Sequence, residues 1–323
     1  MRDTKWFSDC GWGVFCHYLT SPDTSADEWN RQIDAFDTDR LAKQLASVNA
    51  PYFYITLGQG SGHYCLPNET YDSIVGINPS KCAKRDLIAD LYDSLTAYGI
   101  HLMIYIPADG SWADHEARAK LKLTMHWTDD PKFNWRPGEH WAKFRLPEFQ
   151  QIWEEISLDW AERFGKKIKG WWVDGTFAAE YRYPEDEVPN FRTYADVLRT
   201  GNPDALIAFN PGVRIPVIHY TDYEDYTAGE LSISLPECRA GFVKRRESGH
   251  EALYHVLTYL GRTWGKDEMR FPDELAVGYT KHVVEKGGVV SWDVPIEKSG
   301  EIKEVFLEQL AKVSTGIKEM RQA

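Results

Sequence analysis

The sequence predicts an α/β fold, a (β/α)8-type TIM barrel that forms one domain across residues 1–323. Short apolar runs alternate along the chain with amphipathic helical segments, and this order is typical of a parallel sheet with helices between successive strands. Loops rich in glycine and polar residues follow the apolar runs, as they do at the functional end of α/β barrels. No GxGxxG motif opens a predicted helix, which disfavours an open doubly wound sheet that binds a dinucleotide.

Seven runs of apolar and aromatic residues are predicted to be strands, because parallel strands are covered on both faces. They lie at residues 12–17, 52–56, 101–107, 170–174, 205–210, 254–260 and 288–295. The run GWWVD places two tryptophans before Asp174, and a glycine follows this carboxylate. A residue of this kind at the carboxyl end of a barrel strand is a catalytic candidate. The alternative interpretation is that Asp174 only opens a turn or caps a helix.

The predicted helices carry apolar side chains three or four residues apart, which gives each helix one buried stripe. They lie at residues 39–49, 85–98, 147–164, 190–200, 272–285 and 301–320. In the third of these helices the stripe contains Phe149, Trp153, Ile156 and Trp160. Gly99 follows the second helix, in the position where helices commonly end in glycine.

Two segments after predicted strands are candidate binding loops. The segment LGQGSGHY at residues 57–64 has three glycines, which allow the backbone to approach a ligand closely. A phosphate-binding loop is the other interpretation of this segment, but it lacks the Lys-Ser/Thr ending of that motif. The long segment after the third strand, up to residue 144, is rich in Trp, Asp and Pro and is predicted to be a functional loop.

Composition and charge exclude several classes of partner. The net charge of −12 at pH 7 opposes nucleic acid, whose phosphates require a basic surface. The sequence has no apolar run of the ~20 residues that span a membrane. Met1 is followed by charged residues instead of a signal peptide's apolar core, so the chain is expected to be cytoplasmic, or exported with its signal removed. Aromatic residues make up 14% of the chain, which suits a protein that binds carbohydrate.

Cysteine and histidine spacing disfavours metal chemistry. The five cysteines are odd in number and contain no CxxC pair, which predicts reduced, buried thiols and neither a disulfide framework nor a zinc site. A metal-dependent hydrolase built on His17 and His63 is a possible class, but the sequence has no HxH or HExxH spacing. The sequence therefore predicts no metal and no cofactor.

Five short motifs occur in one order along the chain. They are WGVFCHY at 12–18, GWWVD at 170–174, DYTAGE at 225–230, TWG at 263–265 and VVEKGG at 283–288. In content and order they resemble the catalytic barrel of the α-L-fucosidase family of retaining glycoside hydrolases. This resemblance runs through nearly the whole sequence and implies a barrel fold, a carbohydrate substrate and a pair of catalytic carboxylates. The family's C-terminal β-sandwich is not expected, because one helix follows the last predicted strand.

The resemblance also implies roles for particular residues. Asp174 matches the aspartate nucleophile of the family's LWxD motif, and Glu230 matches a glutamate that serves as acid/base in some members. Alternative acid/base residues are Glu224, Asp222 and Glu180. The predicted substrate-binding residues are His17, Gln59, His63, Tyr64, Tyr105, Trp172, Asn210 and Trp264. For the histidines and for Trp264, a packed structural role is the alternative.

Two departures from the family pattern bear on specificity. Gly60 and Ser61 replace the family's histidine pair in KHHDGF, so Gln59 and His63 are predicted to supply the missing sugar contacts. Pro211 stands where the family has an arginine. The sequence thus predicts a retaining exo-acting α-glycosidase for an α-L-fucoside or related sugar, with weak activity on plain aryl fucosides. Its two catalytic carboxyl groups are expected about 5–5.5 Å apart. A carbohydrate-binding pseudoenzyme with little turnover is the alternative.

Overall fold

The computed structural model describes residues 2–126, 145–177 and 183–323, and these residues contain nine β-strands. In chain order they are β1 (Trp12–Cys16), β2 (Tyr52–Thr56), β3 (His101–Pro107), β4 (Ile168–Asp174), β5 (Leu206–Phe209), β6 (Phe242–Lys244), β7 (Glu251–Leu253), β8 (His255–Tyr259) and β9 (Val289–Asp293). Seven of them form one parallel sheet in the order β5-β4-β3-β2-β1-β9-β8. All seven predicted strands are confirmed, and the antiparallel hairpin of β6 and β7 is an addition to the prediction.

The described residues also form ten α-helices. They are α1 (Lys5–Cys10), α2 (Ala26–Asp34), α3 (Thr38–Ser47), α4 (Glu69–Val75), α5 (Leu87–Thr96), α6 (His115–Lys120), α7 (Pro147–Phe164), α8 (Phe191–Leu198), α9 (Asp273–Glu285) and α10 (Glu304–Gln322). The six predicted helices correspond to α3, α5 and α7 to α10. The prediction missed α1, α2, α4 and α6, which are six to nine residues long. Side chains of Ser25, Asn68 and Asp114 cap the N-termini of α2, α4 and α6.

The sheet curls like a barrel, but a regular eighth strand does not close it in the described part of the chain. The segment 225–231 fills the gap between β5 and β8. On the β8 side, Leu231 N donates to Leu257 O at 2.9 Å. On the β5 side, Asp225 N donates to Ile207 O at 2.8 Å, and the Asp225 carboxylate accepts from Ile207 N at 3.0 Å. The described residues therefore form a curled, barrel-like α/β sheet, and the exact (β/α)8 type of the prediction is not confirmed, since a side chain takes the place of a backbone ladder beside β5.

Apolar packing lies on both sides of the curled sheet. Outside it, α7 places Trp153 and Trp160 against the strands, as its apolar stripe predicts. Inside it, Phe7 of α1 fills the end where the strands begin and packs edge-to-face on Tyr52 and Tyr226 at 5.0 and 5.1 Å between ring centroids. Phe7 and its aromatic neighbours thus fill one end of the curled sheet. The opposite end, where the strands finish, is its open end. None of the helices in the described ranges is long and apolar enough to cross a membrane.

Candidate active site

Asp174 is the last residue of β4, and its partly exposed carboxylate lies at the open end of the curled sheet. Its Oδ2 accepts a hydrogen bond from the Tyr105 hydroxyl at 2.6 Å, and its Oδ1 accepts one from Asn210 Nδ2 at 2.7 Å. Burial of the carboxylate raises the pKa of Asp174, and the negative charge of Asp109 raises it further. The carboxylate is thus held by two neutral donors in a site that disfavours its charge.

Asn210 follows β5 directly and links two carboxylates through one amide nitrogen. The second hydrogen of its Nδ2 goes to Glu230 Oε2 at 2.8 Å, while its Oδ1 accepts from Gly212 N at 3.0 Å and so fixes the orientation of the amide. Because Asp174 Oδ1 and Glu230 Oε2 lie 2.7 and 2.8 Å from the same nitrogen, these two oxygens are at most about 5.5 Å apart. The structure therefore brings Asp174, Asn210 and Glu230 into one cluster.

Glu230 is placed by close backbone contact between the segment 225–231 and β8. Gly229 has a φ of +59°, and a Cβ there would lie 1.9 Å from His255 O, so only glycine allows this approach. Leu257 N donates to Gly229 O at 2.9 Å and fixes the residue before the glutamate. Burial first, and then the charge of Asp174, raise the pKa of Glu230 to about 7. The Glu230 carboxyl group therefore keeps its proton near neutral pH more readily than an ordinary glutamate does.

Tyr105 and Gln59 form the support for Asp174 on the β3 side. Gln59 Nε2 donates to the Tyr105 phenolic oxygen at 2.8 Å, so the phenol proton is left for the carboxylate. The Tyr105 ring stacks on Trp172 with 5.5 Å between centroids and 19° between planes. Trp172 is only 3% exposed, and its indole N–H donates to Ala228 O at 3.0 Å. The Trp172 ring thus packs beneath Tyr105 as part of the barrel interior, and its predicted sugar-binding role stays a prediction.

His17 follows β1 and is held by a carboxylate that the sequence reasoning missed. Its Nδ1 lies 2.8 Å from Oδ1 of Asp293, the last residue of β9, and Asp293 Oδ2 accepts from Gly265 N at 2.7 Å. The Trp264 ring lies beside the imidazole at 5.5 Å between centroids. Asp293 is detectable in principle, because it is a carboxylate near the end of the predicted strand 288–295, which pairs with the strand that leads to His17.

His63 and Tyr64, two of the predicted sugar-binding residues, are buried, and their predicted contact with a sugar stays a prediction. His63 is 2% exposed, its Nε2 is 2.9 Å from Thr24 O, and burial lowers its pKa to about 4. Tyr64 is fully buried, and its hydroxyl pairs with Ser111 Oγ at 2.8 Å. Both rings are occupied in packing the glycine-rich loop, because the loop folds back over β2 after Leu57.

The alternative acid/base residues have other partners. Glu224 accepts backbone hydrogen bonds from Tyr220 N at 2.6 Å and Phe209 N at 3.3 Å, so it fastens the loop to β5. Asp222 lies 3.1 Å from Arg245 Nη1 in a surface ion pair. Glu180 lies outside the described residues, as does the part of the predicted functional loop at 127–144. Of the candidates within the described ranges, Glu230 is the one that shares a donor with Asp174.

Asp109 is a second carboxylate that the sequence reasoning missed, two residues beyond β3. Its Oδ2 is 3.0 Å from His126 Nε2. Gly175 has a φ of +75°, and a Cβ there would lie 2.7 Å from the Asp109 carboxyl carbon. The glycine after Asp174 is therefore required by close packing of Asp109 as well as by its backbone conformation. The described residues contain no group of three or more His, Cys, Asp and Glu side chains that could hold a metal ion.

Solved structures of two kinds of enzyme share this arrangement of sheet and helices. The endo-fucoidan hydrolase P5AFcnA of glycoside hydrolase family 107 is 14% identical, with a TM-score of 0.69 over 96% of this chain and 92% of that one. The endo-fucoidan hydrolase MfFcnA4 is 17% identical, with a TM-score of 0.72 over 98% and 54%. The α-L-fucosidase AlfC, in complex with Fuca(1,6)GlcNAc, is 15% identical, with a TM-score of 0.64 over 98% of both chains.

The chain has the fold of α-L-fucosidases. The resemblance in its motifs is thereby supported at the level of the fold, which is what likeness at 14–17% identity establishes. The same fold serves family 107 endo-fucoidan hydrolases, and the chain spans about half the length of MfFcnA4. No protein-family model and no curated protein matches the sequence.

Proposed function

We propose that the protein is a retaining glycoside hydrolase that cleaves an α-L-fucoside or a related sugar by double displacement. In the first step an oxygen of Asp174 forms a bond to the anomeric carbon, the glycosidic bond breaks, and Glu230 gives its proton to the departing oxygen. In the second step Glu230 takes a proton from water, the water oxygen bonds to the anomeric carbon, and the ester to Asp174 breaks. Glu230 is then protonated again and Asp174 is again a carboxylate.

The observation that carries this proposal is the single amide of Asn210 between the two carboxylates. The upper limit of about 5.5 Å between their bonded oxygens supports retention, because inverting enzymes separate their carboxyl groups by about 6.5–9.5 Å to admit a water. A nucleophile and an acid/base must also differ in protonation. Asp174 accepts two hydrogen bonds that favour its charged form, whereas the pKa of Glu230 is raised to about 7. This difference supports Glu230 as the residue that supplies the proton.

The rim of the site supports a sugar as the substrate. His17 and Trp264 lie beside each other next to the cluster, and their polar and aromatic surfaces suit a sugar's hydroxyl groups and apolar ring face. The substrate class is taken from the motif resemblance and from the fold shared with α-L-fucosidases and endo-fucoidan hydrolases. We favour exo action on a terminal residue. The pseudoenzyme alternative is not favoured, because both carboxylates and the donor between them are in place.

A screen of aryl glycosides with the wild type beside Asp174→Ala tests the proposal. We expect the wild type to hydrolyse an α-L-fucoside or a related α-glycoside, and the variant to be inactive on the same compounds. Proton NMR of the first-formed product is expected to show the α-anomer; the β-anomer would establish inversion and remove Asp174 as nucleophile. Fucosylated oligosaccharides separate exo from endo action, since exo action releases monosaccharide from chain ends and endo action releases oligosaccharides.

A further inference from the structure

Asp293 is a fully buried carboxylate whose two oxygens have one nitrogen partner each. Oδ1 lies 2.8 Å from His17 Nδ1, and Oδ2 accepts from Gly265 N at 2.7 Å. An ionised carboxylate accepts hydrogen bonds and donates none. With an ionised carboxylate as partner, the hydrogen in the bond to His17 belongs on Nδ1, and the ring's other nitrogen, Nε2, is left for a different partner.

The His17 ring is the point where this carboxylate reaches the site. The side chain keeps 15% of its surface exposed, whereas Asp293 keeps none. The ring stands among the aromatic rings of Phe15, Tyr105 and Trp264, at 4.7, 6.0 and 5.5 Å between centroids. Since Tyr105 donates to Asp174 at 2.6 Å, the imidazole lies one side chain away from the proposed nucleophile.

Asp293 also fixes the turn that carries Trp264. Gly265 has a φ of +59°, and a Cβ there would lie 3.4 Å from His17 Cβ, so the turn packs directly on the histidine. The Trp264 ring is held from its other side by Tyr259, edge-to-face at 4.8 Å. One buried carboxylate thus joins the end of β9, the residue after β1 and the turn after β8.

We propose that Asp293 is a positioning residue for substrate binding, which holds the His17 ring with hydrogen on Nδ1 and so commits Nε2 to a hydroxyl group of the sugar. The inference rests on the proposed function, because it takes the sugar to bind beside Asp174 and Glu230. It goes beyond that function because a residue that does not touch the substrate sets the tautomer of His17. The tautomer decides which ring nitrogen donates a hydrogen bond and which accepts one.

Asp293→Asn tests the proposal with little change in shape. The amide oxygen keeps the bond from Gly265 N, and the amide NH₂ faces Nδ1 and moves the imidazole hydrogen to Nε2. We expect kcat/KM to fall by about 10- to 100-fold, the size of effect seen when the outer partner of a metal-bound histidine is removed. We expect the loss mainly in KM, as for a contact that binds ground state and transition state alike.

A double-mutant cycle separates positioning from a general structural role. If Asp293 acts through His17, then Asp293→Asn causes no further loss of kcat/KM in a His17→Ala background. Losses that multiply would overturn the proposal. Thr280→Val is the matched control, since it removes the buried hydrogen bond from Trp292 Nε1 to Thr280 Oγ1 at 3.0 Å, beside Asp293 on β9. We expect it to lower the melting temperature and to leave kcat/KM within about two-fold.

A measurement on the wild type tests the tautomer directly and needs no turnover. In ¹⁵N NMR of the histidine rings we expect hydrogen on His17 Nδ1, and a neutral His17 with hydrogen on Nε2 alone would contradict the proposal. Asp293→Asn is expected to reverse the assignment. If the wild type hydrolyses no glycoside, the proposed function fails, and titration of the same ring signals with L-fucose then decides the inference: a shift of the Nε2 signal supports it and no shift opposes it.

Discussion

The barrel contains two polar networks that differ in exposure and in charge. The inner network lies near the start of the strands, where Tyr52 OH and His255 Nε2 each lie 2.8 Å from Ser291 Oγ, and all three side chains are fully buried. The outer network lies at the strand ends, where Asn210 joins Asp174 and Glu230 and both carboxylates are partly exposed. Burial lowers the pKa of His255 to about 4, so near neutral pH the inner network consists of neutral groups.

The inner polar network stabilises the fold, whereas the outer polar network destabilises it. In the inner network each donor has an acceptor, and no group carries a charge, so its burial is compensated. In the outer network two like-charged groups share one amide, and burial raises the pKa of both. Such an arrangement disfavours the folded state when both groups are ionised, and carboxyl groups with shifted pKa values of this kind are typical of functional sites. Changes in the outer network should therefore act on activity, and changes in the inner network on stability.

The largest expected effect comes from Asp174→Gly. Removal of the proposed nucleophile should lower kcat by at least ~10⁴-fold on an aryl glycoside, the order seen when a catalytic residue is deleted. Azide is expected to restore part of the cleavage of an activated substrate by entering the vacated space and to yield a glycosyl azide. The fold should persist, because the carboxylate is partly exposed at a strand end. Activity equal to that of the wild type would remove the double-displacement mechanism.

Glu230→Gln is expected to have the next largest effect. Loss of a general acid lowers kcat/KM by about 10²–10⁴-fold, and the loss should shrink for substrates whose leaving group needs no proton. In the wild type, kcat/KM should fall as pH rises through about 7, where Glu230 loses its proton. In the Glu230→Gln variant this fall of kcat/KM on the alkaline side of the pH profile should be absent. A fall that persists near pH 7 would assign it to another group.

Stability of the same variant gives an independent check of the raised pKa. The folded-state pKa of Glu230, about 7, lies above the ordinary value of 4.5, so between these values the folded protein binds more protons than the unfolded chain. The stability contribution of Glu230 is therefore present below pH 4.5 and is lost as pH rises through 7. Glu230→Gln removes this loss. We expect the melting temperature of the variant, relative to that of the wild type, to increase from pH 5 to pH 8. A difference in melting temperature that does not change with pH would contradict the assignment.

The smallest effect on activity is expected from Ser291→Ala in the inner network. The variant leaves His255 Nε2 without its hydroxyl partner, at a cost of about 1–3 kcal/mol in the free energy of unfolding. Its kcat/KM should stay within about two-fold of the wild-type value, since the network lies below the site. Urea unfolding and steady-state kinetics check the two halves of this prediction. A large loss of kcat/KM without loss of stability would show that the two networks are coupled.

The sequence by itself determined the seven strands of the parallel sheet, six of the helices and the place of the proposed nucleophile. The predicted bounds of β2, β3 and α7 agree with the structure residue for residue. Apolar runs, helical stripes and Pro or Gly at element ends are local signals, and they act within one turn or one strand. A local signal of this kind also predicts Asp174 at the end of β4, because a carboxylate and a glycine interrupt a buried apolar run. Such signals also put seven strands and their helices in the order that a curled parallel sheet requires.

Only the tertiary structure decided which side chains meet at the open end. Asn210 reaches both Asp174 and Glu230, and Asp293 reaches His17, because the curl and register of the sheet bring together strand ends that lie 20 to 276 residues apart in the chain. The segment 225–231 fills the gap beside β5 through a carboxylate, which no period in the sequence announces. The position of His63 in the glycine-rich loop predicts a contact with sugar, whereas the folded chain buries its side chain. Side-chain direction across a sheet depends on pairing, and pairing is a property of the folded chain.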